Sequence, residues 1–319
     1  MFNYLDSAEK VSRLLLRHHY LADRKLAMTV FLAAKMNKPL LVEGPAGVGK
    51  TYLARALAGA LEAGLVRLQC YPGLDEGKAL YEWNYQKQLL YLQTAREGVS
   101  WGEAKKDIYT EEFLLARPVL KAFMSPEPVV LLIDEIDKSD EELESFLLEA
   151  LSEFQISIPE LGTVKSRHVP LVIITSNSSR DFSDALKRRC LHLHIPYPDR
   201  EREEAIIRMH LRGISPALSG QVAEFLARVR KMALRKLPGI SETIDWARSI
   251  LALNASELDR ETVQCTINVL LKYEEDILAL ETSIEELMPG VAAYSDGAAG
   301  REQLPGMDKE KDALSRFDF

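Results

Sequence analysis

The stretch Gly44-Pro45-Ala46-Gly47-Val48-Gly49-Lys50-Thr51 decides how the chain reads. It fits the pattern GxxxxGK[ST] at every fixed position. Its flanks agree. Pro39-Leu40-Leu41-Val42-Glu43 is short and apolar, as a buried strand is, and Tyr52-Leu53-Ala54-Arg55-Ala56-Leu57-Ala58 has the composition of a helix. The glycines let the backbone turn so that successive N–H groups point inward around phosphate oxygens. The following helix adds the positive end of its dipole and its unpaired N–H donors. In that arrangement Lys50 reaches the β- and γ-phosphates and the Thr51 hydroxyl meets a magnesium ion. Gly44 to Thr51, with Tyr52 in the first helical turn, are the expected binding residues for ATP and Mg2+. A glycine-rich turn without a ligand would have to match every fixed position and both flanks by coincidence.

Val129-Val130-Leu131-Leu132-Ile133-Asp134-Glu135 is the second informative stretch. A continuous β-branched and apolar run is the mark of a central parallel strand. It ends in two carboxylates. Downstream of a phosphate loop, Asp134 is expected to hold the metal and Glu135 to polarise the attacking water. Val169-Pro170-Leu171-Val172-Ile173-Ile174-Thr175-Ser176-Asn177 is another buried strand, and its terminal amide, Asn177, is expected beside the γ-phosphate and the water.

The remainder fills in around these strands. Residues 7–35 carry a helical period, read as two helices with a break at His18-His19, and part of this region is expected to line the nucleotide pocket. Leu65 to Cys70 is a strand and Tyr71-Pro72-Gly73 a turn. Tyr81, Trp83, Tyr85 and Tyr91 concentrate aromatics in an irregular region, as a substrate-touching insertion or as a small packed cluster. Residues 113–123 look helical, with a kink or restart at Pro118. An amphipathic helix is expected from Asp140 to Phe154, and a hairpin over 154–168. After Lys187-Arg188-Arg189-Cys190, Leu191 to Ile195 alternates as a strand, with His192 and His194 on a solvated face. From Asp199, a good N-cap, the pattern is helical over 199–211, 216–235, 241–253, 259–271 and 273–287. The expected domains are 1–198 (α/β, nucleotide-binding), 199–287 (helical) and a flexible tail over 288–319.

Composition narrows the class. Of 319 residues 47% are hydrophobic, enough for more than one core. A net charge of −8 argues against the whole chain binding a polyanion. Cys70, Cys190 and Cys265 are far apart and lack metal spacing, which fits reduced thiols and a cytoplasmic protein. No run is apolar for long enough to span a bilayer, and the first residues lack the features of a signal peptide.

The order of these features resembles the AAA+ ATPases over roughly residues 10–285. Glu43 to Thr51 and Leu132-Ile133-Asp134-Glu135-Ile136-Asp137-Lys138 look like the MoxR branch. Asp184 to Cys190 with Tyr197-Pro198-Asp199, and Pro238-Gly239-Ile240-Ser241-Glu242-Thr243-Ile244-Asp245-Trp246-Ala247, look like its CoxD-type subgroup. The resemblance implies a parallel sheet ordered 5-1-4-3-2, a helical lid, an insertion at roughly 77–100 and a hexameric ring. It also implies a von Willebrand A-domain partner and a protein client that is remodelled or matured, in the CoxD case a molybdenum-containing carbon monoxide dehydrogenase. By position Asn177 matches the sensor-1 residue, and Arg189 the arginine finger with Arg188 next to it. Relatives place a sensor Arg just after the lid turn. Here Glu242-Thr243 stand there, and either Arg248, the nearest Arg downstream, takes the nucleotide-sensing role or the lid senses nucleotide otherwise. A nucleic-acid motor is the rival enzyme reading, disfavoured by the acidic balance and the lack of a basic run with interleaved aromatics. A nucleotide-gated binding module without turnover is the third, and it would need neither Glu135 nor paired arginines.

Overall fold

A computed structural model describes residues 5–94 and 107–288 of the chain. Five parallel strands form its main sheet: β1 (Leu40–Glu43), β2 (Gly64–Gln69), β3 (Val129–Asp134), β4 (Leu171–Ser176) and β5 (Leu191–His194). Their spatial order is 5-1-4-3-2, with β1 between β5 and β4 and β3 between β4 and β2. Every residue of β3 and of β4 is buried, because helices cover both faces. Side chains alternate accordingly. Val130 and Leu132 join the core under α1 (Ala8–Arg17), α2 (Arg24–Met36) and α3 (Lys50–Ala60). Leu131 and Ile133 join the opposite core with Phe123 and Leu147.

Local chemistry sets the helix ends. Ser7 caps α1 and Asp23 caps α2, the latter accepting from the Leu26 N–H at 2.8 Å. The break between them runs from His18 to Asp23 and includes the expected His18-His19 position. Asp140 caps Glu141–Glu153, and Gln155–Ile158 pairs antiparallel with Gly162–Lys165 as the expected hairpin. Residues 113–123 differ from expectation. Leu114–Ala116 is a strand paired antiparallel with Tyr81–Trp83, and the helix begins at Pro118 and runs to Met124. Proline suits the first helical position, where no N–H is needed, and it holds the preceding Arg117 extended. Trp83 packs edge-on to Tyr109 and Tyr91 to Phe113, whereas Tyr85 is 61% exposed. Packing therefore accounts for some of these aromatics and not for Tyr85. Residues 95–100 of the expected insertion lie outside the described residues.

The C-terminal region is helical: Arg200–His210, Pro216–Val229, Ile240–Ala252, Arg260–Leu270, Glu274–Thr282 and Ile284–Leu287. Phe225 and Trp246 centre its core, and the Trp246 indole donates to Thr266 Oγ1 at 2.8 Å. The helix expected over 216–235 stops at Val229. Arg230 turns its guanidinium onto Glu203 (2.5 and 2.6 Å) and donates from Nε to the Pro238 carbonyl at 3.0 Å, so the chain leaves the helix there. The segment expected as a tail lies outside the described residues beyond Met288.

Cys70 and Cys190 are buried, with thiols pushed up to about 12 by desolvation, and Cys265 is exposed. His192 and His194 are exposed, and His192 lies 2.5 Å from Glu43. Among the described residues no cluster of three His, Cys, Asp or Glu is placed to hold a metal, and no helix is long and apolar enough to cross a membrane.

Candidate active site

In a parallel sheet the carboxyl ends of neighbouring strands share one edge, where connecting loops leave a crevice. Here β1 delivers the phosphate loop, β2 Gln69, β3 Asp134 and Glu135, and β4 the Asn177 that follows it. The loop needs its glycines. A Cβ on Gly44 would stand 2.1 Å from the Ile195 carbonyl oxygen. Gly47 has φ +77° and lies against Gly239 of the helical region, whose Cα would be 2.9 Å from a Cβ there. The Ile240 N–H donates to the Gly47 carbonyl at 2.7 Å, so the two backbones touch.

Lys50 is 6% exposed. Its ammonium donates to the carbonyls of Gly44 (2.7 Å) and Pro45 (2.6 Å) and to Asn177 Oδ1 (2.8 Å). Burial draws its pKa below the usual lysine value, and Asp137, Asp134 and Glu135 oppose that shift.

Asp134 is held on both sides. Oδ1 accepts from Thr51 Oγ1 at 2.9 Å and Thr175 Oγ1 at 2.6 Å, while Oδ2 accepts from Arg67 Nε at 3.1 Å and Nη2 at 2.5 Å. Arg67 also donates to Gln69 Oε1, and Gln69 Nε2 donates to Glu135 Oε2 at 2.8 Å. Lys138 reaches the same Glu135 oxygen at 2.7 Å, which raises the Lys138 pKa. Glu135 sits at φ 58°, ψ 49°. For a residue with a Cβ that conformation costs about 1–2 kcal/mol. Its N–H donates to Thr175 Oγ1 at 2.9 Å, which helps hold the turn. Asp134 and Glu135 are thus tied into one network through Thr175 and through Arg67 and Gln69.

These groups face a cavity of about 350 Å³ that includes Gly47, Lys50, Thr51, Asp134, Glu135 and Asn177 in its lining. Arg55, one turn beyond Thr51, and Ser241 also line it. Tyr52 is shared with an adjoining pocket walled by His19, Tyr20, Met209, His210 and Ile240. The Tyr52 ring stacks on Tyr20 with centroids 6.1 Å apart, meets His210 edge-on at 5.9 Å, and its hydroxyl donates to the His18 carbonyl. His210 has its pKa lowered by burial, and neighbouring His19 adds to the shift.

Three expected residues lie apart from the cavity. Arg188 and Arg189 end the helix Asp184–Arg189, exposed, and neither forms a hydrogen bond or ion pair with the described residues. Arg248 is outside the cavity lining and pairs with Asp245 at 3.0 Å on an exposed helix face. Glu242, at the lid turn, aims Oε2 at the phosphate loop, 3.1 Å from where a Gly47 Cβ would be. That oxygen is buried without a hydrogen-bond partner among the described residues.

Arg67, Gln69 and Arg55 belong to no motif, and Thr175 and Ser241 lie within quoted stretches that assign them no role. For Arg67 and Gln69 the available signal is alternation, two polar residues on one face of a strand whose last residue registers with Asp134.

The oxygen donor set suits Mg2+. A hydroxyl and a carboxylate at 2.9 Å, from Thr51 and Asp134, supply the hard ligands this ion takes alongside water and phosphate.

An uncharacterised protein of Staphylococcus epidermidis is 28% identical over 270 residues, spanning 81% of this chain and 95% of that protein. One from Staphylococcus aureus is 28% identical over 249 residues, 75% and 85% of the two chains. Among solved structures, the Thermotoga maritima RuvB Holliday junction branch migration motor is similar at 19% identity and a TM-score of 0.44, covering 90% of this chain and 80% of that one. A point mutant of RuvB from the same organism gives 19% and 0.46, covering 88% and 79%. The family described as "ATPase family associated with various cellular activities (AAA)" matches residues 40–197. Phosphate loop, strand order and family match agree: residues 40–197 match the AAA family and have the AAA+ α/β fold.

Proposed function

We propose that the chain binds Mg-ATP between the α/β unit (1–198) and the helical lid (199–287) and hydrolyses it in a ring of copies, using turnover to remodel a protein client. The observation that carries this is convergence. The Thr51–Asp134 contact at 2.9 Å and the Lys50–Asn177 contact at 2.8 Å bring three strand ends onto one cavity. Gly44 to Thr51 cradle the phosphates, and Lys50 faces them with its charge. Thr51 and Asp134 hold Mg2+, which when bound neutralises the charge on the phosphate oxygens. Glu135 takes a proton from the attacking water, and Asn177 orients that water. Tyr52, His19, Tyr20 and His210 receive the base. Arg189, with Arg188 beside it, is delivered to the pocket of a neighbouring copy, which suits two exposed guanidiniums without partners among the described residues. Arg248 is about two turns beyond Ser241 on the same helix and pairs with Asp245, so sensing by the lid falls to Ser241 and the Gly239–Gly47 contact.

The MoxR-type motifs point to a protein client and a von Willebrand A-domain partner. The CoxD-like stretches point to a molybdenum-containing carbon monoxide dehydrogenase-type enzyme. The test is a multiple-turnover assay on the assembled protein, with and without DNA or RNA. Expected is magnesium-dependent hydrolysis indifferent to nucleic acid. Stimulation by DNA or RNA that weakens steeply with salt would overturn the remodelling reading in favour of a motor.

A further inference from the structure

Glu144 is a carboxylate that nothing in the proposed chemistry uses, yet it is 2% exposed. A buried charge is tolerated only where it is paired and hydrogen-bonded. Its partners all lie on one segment. Oε2 accepts from Arg180 Nη1 at 3.0 Å, and Oε1 accepts from the Ser183 N–H at 3.0 Å and from the Ser183 hydroxyl. Ser183 is the N-cap of Asp184–Arg189, the helix that ends in Arg188 and Arg189. A six-residue helix does not hold itself together in water, so its anchors set its direction. Those anchors are buried Leu186 and the capped Ser183.

The same segment starts at the phosphate site. The Asn177 amide oxygen contacts Lys50, its N–H donates to Asp137 Oδ1 at 3.2 Å, and Ser179 Oγ donates to Asp137 Oδ2 at 2.5 Å. Asp137 and Glu144 both follow β3, one on the turn after Glu135 and one on the next helix. Two buried carboxylates therefore lace residues 177–183 to the stretch after Asp134-Glu135. Arg180 lies over the Phe182 ring at 4.9 Å, and its Nε and Nη2 find no acceptor among the described residues, so Glu144 is its charge partner on Nη1.

We propose that Glu144 is a positioning residue for the Arg188–Arg189 pair. It fixes the cap of the helix that carries them and ties that helix to the loop starting at Asn177. A chain's own phosphate site thereby sets the guanidiniums it presents to the next copy. The proposal rests on the reading that the pair acts across a subunit boundary, and the test separates the two.

Glu144→Gln keeps the side chain's shape and removes the charge that holds Arg180. The expected result is unchanged nucleotide affinity with kcat lower by about 10²-fold, the scale of a reacting group displaced by an ångström. Mixing with Glu135→Gln chains should restore part of the activity, because one chain keeps its pocket and the other its arginine helix. A purely structural role would lower thermal stability or nucleotide affinity and would not be complemented. Wild-type kcat in Glu144→Gln overturns the proposal. So does failed complementation where Arg189→Ala with Glu135→Gln succeeds. If neither Arg188→Ala nor Arg189→Ala is complemented in rings that form, the underlying reading falls, and this one with it. Should Glu144→Gln not fold, Ser183→Ala removes the hydroxyl contact alone and is expected to give the same complementation pattern more weakly; its absence counts against the proposal.

Discussion

The Arg67 guanidinium closes on the outer oxygen of Asp134, at 3.1 Å from Nε and 2.5 Å from Nη2, and leaves the inner oxygen to Thr51 and Thr175. Asp134 is 1% exposed, so its Oδ2 has little water to turn to. Arg67→Met should cost about 1–3 kcal/mol of stability, the usual range for a buried group deprived of a partner. The Arg67 side chain is 43% exposed, which places the effect at the lower end. Denaturant midpoints measure it, and an unshifted midpoint would mean that Thr51 and Thr175 suffice to hold the carboxylate.

Lys50→Ala removes the charge facing the phosphates. The thermal shift that ATP and magnesium produce in the wild-type chain should vanish, because a ligand stabilises only the protein it binds. A retained shift would move the nucleotide elsewhere.

Glu135→Gln preserves the contact with Gln69 in shape while removing the proton acceptor. Binding should persist while turnover falls about 10²–10⁴-fold. Wild-type turnover would reduce Glu135 to a partner of Lys138.

Arg189→Ala should bind ATP normally and hydrolyse it poorly, since a finger supplied by a neighbour contributes about 10³–10⁵ in other phosphoryl-transfer systems. Mixed with Glu135→Gln chains it should regain part of its activity. No recovery in rings that demonstrably form would turn attention to Arg188→Ala in the same assay.

His210 gives the site a pH dependence. Burial lowers its pKa, with His19 and Arg248 adding to the shift, so the folded chain resists protonating it more than the unfolded chain does. Its contribution to stability is complete above about pH 6.5 and is lost as pH falls through the lowered value. Melting temperature should drop on acidification, and His210→Gln should flatten that part of the profile. An identical slope in the variant would place the titration on other groups.

The phosphate loop and β3 were legible because their chemistry is written in consecutive residues. Gly44 to Thr51 and Val129 to Glu135 each carry their own flanks. Arg67 and Gln69 were not, because their partners are set by strand order, with Gln69 registered against Asp134 some sixty residues away. Leu114–Ala116 reads as helix in the sequence because its pairing with Tyr81–Trp83 lies across a long separation, while its apolar composition serves either structure. Arg230 ends its helix early for a similarly distant reason, the carboxylate of Glu203. On the proposed reading Arg188 and Arg189 would complete a site only on another copy, which neither the sequence nor the fold of one chain displays.

The Gly47–Gly239 contact is backbone against backbone, joined by the Ile240 N–H bond, with the Glu242 carboxylate beside it. Helix Ile240–Ala252 is rooted at that point and has 13 residues. At 1.5 Å per residue it is a rod about 20 Å long, so a tilt of about 10° at its root swings its tip by about 3.5 Å. The contact is a fulcrum. A small displacement at the loop would thus be magnified several-fold at the far end of that helix.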